Sequence, residues 1–130
     1  MLFRSGSRLP AYCTSMGRVL LAGLPPEAVA GRLAAMPRPA RTARTLTEVD
    51  ALASAVEAVR RQGWCLVDQE LEEGLVALAA PIVDRSGRTI AALNIGGQAN
   101  RTPAAVMRER FLPPLREAAQ RISQLVRMQS

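Results

Sequence analysis

The stretch Leu75-Val76-Ala77-Leu78-Ala79-Ala80-Pro81-Ile82-Val83 contains no polar side chain. A run this short and this apolar, placed between turn-forming residues, predicts a strand buried on both faces. Asp84-Arg85-Ser86-Gly87-Arg88 follows with hairpin-turn chemistry, and residues 89–96 return as the partner strand. Residues 64–69 predict a third strand, joined to the hairpin by the polar connection 70–74. A hairpin with two apolar faces needs other elements to cover it, and the flanking segments read as helices.

Residues 15–22 predict a short helix with Thr14 or Ser15 as N-cap and Gly23 just past its end. Pro25-Pro26-Glu27 starts a second helix, with Val29, Leu33 and Met36 as its apolar stripe. Residues 37–44, rich in proline and arginine, read as an exposed loop. Thr47-Glu48-Val49-Asp50 resembles a capping box, and Val49, Leu52, Ala53, Val56 and Val59 continue at helical spacing until Gly63. Thr102 and Pro103 open a long terminal helix whose expected inner face is Phe111, Leu115, Ala118, Ile122 and Leu125. Pro113 and Pro114 should kink it, because the carbonyls of Glu109 and Arg110 lose their helical donors. The expected architecture is an α+β or α/β sandwich of helices on an antiparallel sheet. Three strands are few for so many helices, and Met1-Leu2-Phe3-Arg4 is already strand-like. The expectation is therefore a partial domain over residues 1–130 whose first elements lie upstream.

The composition narrows the chemistry. The 130 residues are 48% hydrophobic, enough for one domain with a core. No run reaches the ~18 apolar residues of a membrane span and no signal-peptide pattern is present, so a cytoplasmic protein without a membrane partner is expected. There is no histidine, and Cys13 and Cys65 have no CxxC spacing. That pattern argues against most zinc sites and against Ser-His-Asp or Cys-His nucleophiles. No cofactor, metal or catalytic residue is expected. The net charge of +6 comes from 17 basic residues that are all arginine, spread along the chain, with only four aromatic residues to stack on bases. This does not make a nucleic-acid platform. Asp68-Gln69-Glu70-Leu71-Glu72-Glu73 reads either as a solvated strand end or as a hard-cation site without the EF-hand glycine. Asp68 alone could point inward and accept from ligand hydroxyls.

Two features could hold a small molecule. Asn94 shares a strand face with Ile90, Ala92 and Gly96, and Leu75, Ala77, Ala79 and Pro81 share one on the preceding strand. Small residues there leave room either for a cavity beside Asn94 or for a closely packed helix. A buried amide without partners would cost about 1–3 kcal/mol. Cys13-Thr14-Ser15-Met16-Gly17 opens the first helix, where free N–H groups and about half a positive charge can receive a carboxylate. Simple capping by Thr14 or Ser15 is the other reading of the same residues.

Residues 8–22, from Arg8-Leu9-Pro10-Ala11-Tyr12-Cys13 to Leu20-Leu21-Ala22, resemble the entry motif of the effector-binding domain of IclR-family transcription regulators. Gly63-Trp64, the run 68–75, Ala79-Ala80-Pro81-Ile82, Asp84-Arg85-Ser86-Gly87 and 91–95 resemble the same family in the same order, as does the tail from Arg101 through Phe111-Leu112-Pro113 to Ile122. The resemblance is closest to the branch governing protocatechuate and 4-hydroxybenzoate catabolism. It implies a GAF-like domain, no enzymatic activity, and a homodimer or tetramer that meets DNA only through an N-terminal winged helix-turn-helix. It also implies a pocket at Ser15 and Met16 with Val67 or Asp68, Ala77, Asn94 and Gly96. Cys13, Thr14, Gly17 and Leu78 complete the expected ligand contacts. Family members that bind small keto acids carry serines where this chain has Asn94 and Gly96, and a smaller residue where it has Met16. The implied effector is a small aromatic or dicarboxylic acid, such as protocatechuate, 4-hydroxybenzoate or a β-ketoadipate-like compound. The other function considered is a pure oligomerisation module; a small hydrolase or transferase would need a base that the sequence does not offer.

Overall fold

The turn between the two long strands is built by one carboxylate. Asp84 Oδ1 accepts from the Ser86 N–H (2.9 Å), the Ser86 hydroxyl (2.7 Å) and the Arg88 N–H (3.0 Å). Those donors hold its carboxyl below the usual range, and Gly87 supplies the positive φ of 85°. The computed structural model describes residues 10–129. Within them lie β1 (Cys65–Asp68), β2 (Leu75–Val83) and β3 (Thr89–Gln98), an antiparallel sheet in the order β1-β2-β3.

A single 3-10 turn, Ala11–Cys13, precedes α1 (Ser15–Ala22), α2 (Pro26–Ala34) and α3 (Val49–Gln62), and α4 (Ala104–Gln129) closes the chain. The sheet lies between two helical layers. On one face Cys65, Val67 and Ala79 join Tyr12, Val19, Leu33, Leu52 and Val56 in a core with α1, α2 and α3. On the other, Val76, Leu78 and Ala80 pack against Met107, Leu115 and Ala119 of α4. Alternation along β2 assigns its side chains to these two cores. This is the expected α+β arrangement. Among the described residues no helix is long and apolar enough to cross a membrane.

Several local expectations need correcting. The strand-like Met1 to Arg4 lies outside the described residues. β1 is shorter than expected, and β3 continues past Gly96 to Gln98. α3 starts after Glu48 with no side-chain cap bond, so Thr47 and Asp50 do not form a capping box. α3 does end at Gly63, in the left-handed conformation with φ 84°. Pro113 and Pro114 lie inside the span of α4, where the sequence placed them. Its buried line is Met107, Leu115, Ala119 and Ser123, while Leu125 is exposed. Ser123 is tolerated inside because its Oγ accepts the Val83 N–H at 3.0 Å, beside the register shift between Ile82 and Val83.

The proline- and arginine-rich loop is mostly exposed but tied down. Tyr12 Oη donates to the Pro39 carbonyl (2.6 Å), and Arg38 donates to the carbonyls of Leu33, Met36 and Thr47. Thr42 and Thr45 hydroxyls each donate at 2.6 Å, to the carbonyls of Gln69 and Glu70.

Candidate functional site

The register places Val67 opposite Ala77 and Ala77 opposite Gly96, so three residues of three strands form one row across the sheet. Their side chains shrink toward the β3 edge, from valine through alanine to glycine. A hollow of about 480 Å³ lies over this row, within the usual range for small-molecule sites. Cys13, Thr14, Ser15 and Met16 from the head of α1 face it from one side. Leu71 faces it from the β1–β2 connection, Leu75 from the first position of β2, and Asn94, Gly97 and Gln98 from β3. None of these lining residues carries a charged side chain.

The head of α1 divides its hydrogen bonds unevenly. Thr14 is the N-cap: its Oγ1 accepts the Gly17 N–H at 3.1 Å and donates to the Pro10 carbonyl at 3.0 Å. Ser15 is only 2% exposed, yet its hydroxyl has no hydrogen-bond partner among the described residues. Ser15 is one of the residues that line the hollow. The N–H groups of Ser15 and Met16, at the first two helical positions, have no intrahelical acceptor. The helix dipole adds partial positive charge at the same place. These groups can receive one carboxylate, while the aliphatic walls can enclose a ring or short chain.

The structure separates the expected ligand residues. Cys13, Thr14, Ser15, Met16, Val67, Ala77, Asn94 and Gly96 line the hollow. Gly17 does not: its N–H is used by the cap, and its bare α-carbon lies so close to Ala11 that a β-carbon would come 2.5 Å from the Ala11 carbonyl oxygen. Asp68 sits at the other face of β1, because strand alternation turns it away from Val67. It accepts from Arg44 at 2.8 Å and from the Gln69 side chain at 3.1 Å. Leu78 is fully buried beneath α4, again by alternation. Asn94 is exposed at the rim rather than being a buried amide.

Four lining residues escaped the sequence reading: Leu71, Leu75, Gly97 and Gln98. Leu75 shares strand parity with Ala77, and Gln98 shares it with Asn94 and Gly96, so extending the same alternation reaches both. Glu70 escaped it as well. It is neither solvated nor a cation ligand, but lies 9% exposed against Arg18, which is 3% exposed. Arg18 Nη1 and Nη2 donate to the two carboxylate oxygens at 2.9 and 2.6 Å. Among the described residues no group of three or more His, Cys, Asp or Glu side chains is placed to hold a metal ion.

Both cysteines are free and buried. Burial pushes the Cys13 thiol up from its ordinary value, and the Cys65 thiol up to about 11. Cys13 therefore meets the hollow as a neutral, weakly polar group, poorly suited to nucleophilic attack.

The family model described as bacterial transcriptional regulator IclR C-terminal matches residues 1–124. The Pca regulon regulatory protein of Pseudomonas putida is 47% identical over 114 residues, which are 88% of this chain and 39% of that protein. The p-hydroxybenzoate hydroxylase transcriptional activator of Acinetobacter baylyi is 37% identical over 121 residues, 93% of this chain and 45% of that protein. Among solved structures, a double mutant of the PobR transcription factor inducer-binding domain from Acinetobacter, in complex with 3-hydroxybenzoic acid, superposes with a TM-score of 0.87. It is 36% identical, and the match covers 93% of this chain and 69% of that one. The chain spans less than half the length of either curated relative.

Proposed function

The chain belongs to the IclR family of bacterial transcriptional regulators, and from that premise we propose that it is a ligand-sensing domain whose hollow receives a small aromatic or dicarboxylic acid. The carboxylate lies against the N–H groups of Ser15 and Met16 and the Ser15 hydroxyl. The side chains of Met16, Val67, Ala77 and Leu71 enclose the ring or chain, and the Asn94 amide at the rim meets its remaining polar groups. The observation that carries the reading is the uncharged hollow of about 480 Å³ lined by Cys13 to Met16 at the head of a helix, where the Ser15 hydroxyl has no hydrogen-bond partner among the described residues. The hydroxybenzoate complex of a relative that is 36% identical supports the same ligand class.

In this reading the domain is not an enzyme, works in the cytoplasm as a homodimer or tetramer, and acts on DNA through a linked winged helix-turn-helix. Ligand matters only through a difference in affinity between two arrangements of the assembly; an acid that binds both equally shifts nothing.

The test is a thermal-shift panel of 4-hydroxybenzoate, protocatechuate, β-ketoadipate and simple keto acids. An acid at roughly 100 times its dissociation constant stabilises the folded chain by about 2.7 kcal/mol. Stabilisation by an aromatic or dicarboxylic acid, lost in a Ser15→Ala variant, supports the reading. No stabilisation by any panel member favours the oligomerisation module instead.

A further inference from the structure

We propose that Arg18 and Glu70 are a positioning pair that fixes the spacing of two walls of the hollow; the proposal deepens the ligand-sensing reading above and rests on it. One wall is the head of α1. Arg18 lies one turn beyond it: its backbone N–H donates to the Thr14 carbonyl at 3.0 Å, and its Nε donates to the Tyr12 carbonyl at 2.8 Å. The other wall is the β1–β2 connection, where Glu70 directly precedes Leu71. The bidentate pair is the bond between these walls, spanning 52 residues of sequence.

Glu70 is itself held at several points. Its Oε1 also accepts the Leu46 N–H at 3.0 Å, and its carbonyl accepts the Thr45 hydroxyl at 2.6 Å. The preceding residue, Gln69, adopts a left-handed φ of 61°, a conformation that non-glycine residues keep only when their surroundings enforce it. Here the enforcement comes from the Gln69 N–H on the Leu75 carbonyl (2.8 Å), the Gly74 N–H on Gln69 Oε1 (3.0 Å) and the Thr42 hydroxyl on the Gln69 carbonyl (2.6 Å). The connection is thus a rigid piece, and the planar guanidinium fork sets its distance and angle to α1. A bidentate arginine–carboxylate pair specifies geometry in a way a lysine pair does not. Buried ion pairs add little net stability, because desolvation offsets their attraction. A geometric role accounts for keeping this one beside the hollow.

The experiment compares wild type with Arg18→Met/Glu70→Met. Replacing both partners avoids leaving one buried charge alone. Glu70→Gln is the second variant, to be used if the double variant fails to fold; it keeps the shape and one acceptor oxygen. Folding is checked by circular dichroism and a cooperative melt. Amide hydrogen exchange is then followed at 13–17 and 71–75, and the dissociation constant for 4-hydroxybenzoate is measured. The expected result is at least tenfold faster exchange at both walls, with exchange in α4 unchanged, and at least tenfold weaker 4-hydroxybenzoate binding. Exchange at the walls that matches wild type in a folded variant overturns the proposal, as does undiminished affinity. If wild type itself does not bind 4-hydroxybenzoate or any other panel acid, the ligand reading fails, and the exchange data alone decide whether the pair sets the spacing.

Discussion

Thr14 and Ser15 are adjacent hydroxyl residues at the head of α1 with opposite bonding. The Thr14 oxygen is fully engaged, accepting from the Gly17 N–H and donating to the Pro10 carbonyl. The Ser15 hydroxyl engages no described residue, and Ser15 lines the hollow. One hydroxyl serves the helix and the other is available to a ligand. Of the two readings that the sequence left open for this segment, capping holds for Thr14, and the ligand contact is the one proposed for Ser15.

Substitution should separate those roles. Thr14→Ala removes a cap and is expected to cost about 1 kcal/mol of folding stability. Ser15→Ala removes no bond to a described residue and should leave stability within about 0.5 kcal/mol. Its effect should fall on binding, where a hydrogen bond to a carboxylate contributes roughly 1.5–3 kcal/mol, a loss of tenfold or more in affinity for 4-hydroxybenzoate. Urea melts and titrations of both variants check the pattern. A Ser15→Ala variant that melts early and binds normally would contradict it.

Gly17 should behave as a packing residue. An added β-carbon would press into the backbone of Ala11 and come 2.6 Å from Thr14 Oγ1, and the Ala11 backbone cannot swing aside as a flexible side chain does. Alanine gains about 1 kcal/mol of helix propensity over glycine, but forced overpacking costs typically 1–3 kcal/mol, and here it also disturbs the cap. Gly17→Ala is expected to be net destabilising in a denaturant titration. A variant more stable than wild type would show that the 3-10 turn yields easily.

Asn94 stands exposed at the rim, so Asn94→Leu should change folding stability by no more than about 0.5 kcal/mol. Its proposed contact is with the polar group far from the carboxylate. The variant should therefore lose affinity for 4-hydroxybenzoate while keeping most of its affinity for benzoate, which lacks that hydroxyl. Parallel titrations with the two acids measure the difference. Equal losses for both, or a sharp fall in stability with unchanged affinity, would assign the amide a structural role.

What the sequence made legible was local. The strand 75–83 and its turn announce themselves through an unbroken apolar run and Asp84-Arg85-Ser86-Gly87, and Gly63 marks the end of α3 because its left-handed conformation suits glycine. Alternation put Asn94 and Gly96 on one face, and Ala77 on a face of its own strand. It could not supply the register that sets Ala77 between Val67 and Gly96. Nor could it reveal Arg18 against Glu70, because nothing local links two charges 52 residues apart, one inside an apolar helix and one within an acidic run. The expected partner strand stopped at Gly96, but pairing of Gly97 with Val76 and of Gln98 with Leu75 carries β3 two residues further. On α4 the apolar spacing pointed to Leu125, while the packed line passes through Ser123, whose polarity is offset by its bond from Val83.

The buried thiols imply a particular response to alkali. Cys65 is 2% exposed, and burial raises its pKa from 9.0 to about 11. Below pH 9 the thiol is protonated in both the folded and the unfolded chain, and the folded state keeps its full stability. Between pH 9 and about 11 the unfolded chain releases the proton while the folded chain retains it, so stability falls as pH rises. A shift of this size corresponds to roughly 2 kcal/mol by the upper end of that window. Cys13 is shifted in the same direction and adds to the slope. Cys65→Ala removes the titrating group, so its stability should decline less steeply over this window, whatever its stability at neutral pH. Urea midpoints measured every half unit from pH 7.5 to about 11 give the comparison. Parallel slopes for wild type and variant would mean that the Cys65 thiolate forms as readily in the folded chain as in the unfolded one, and that the packing around it is open to water.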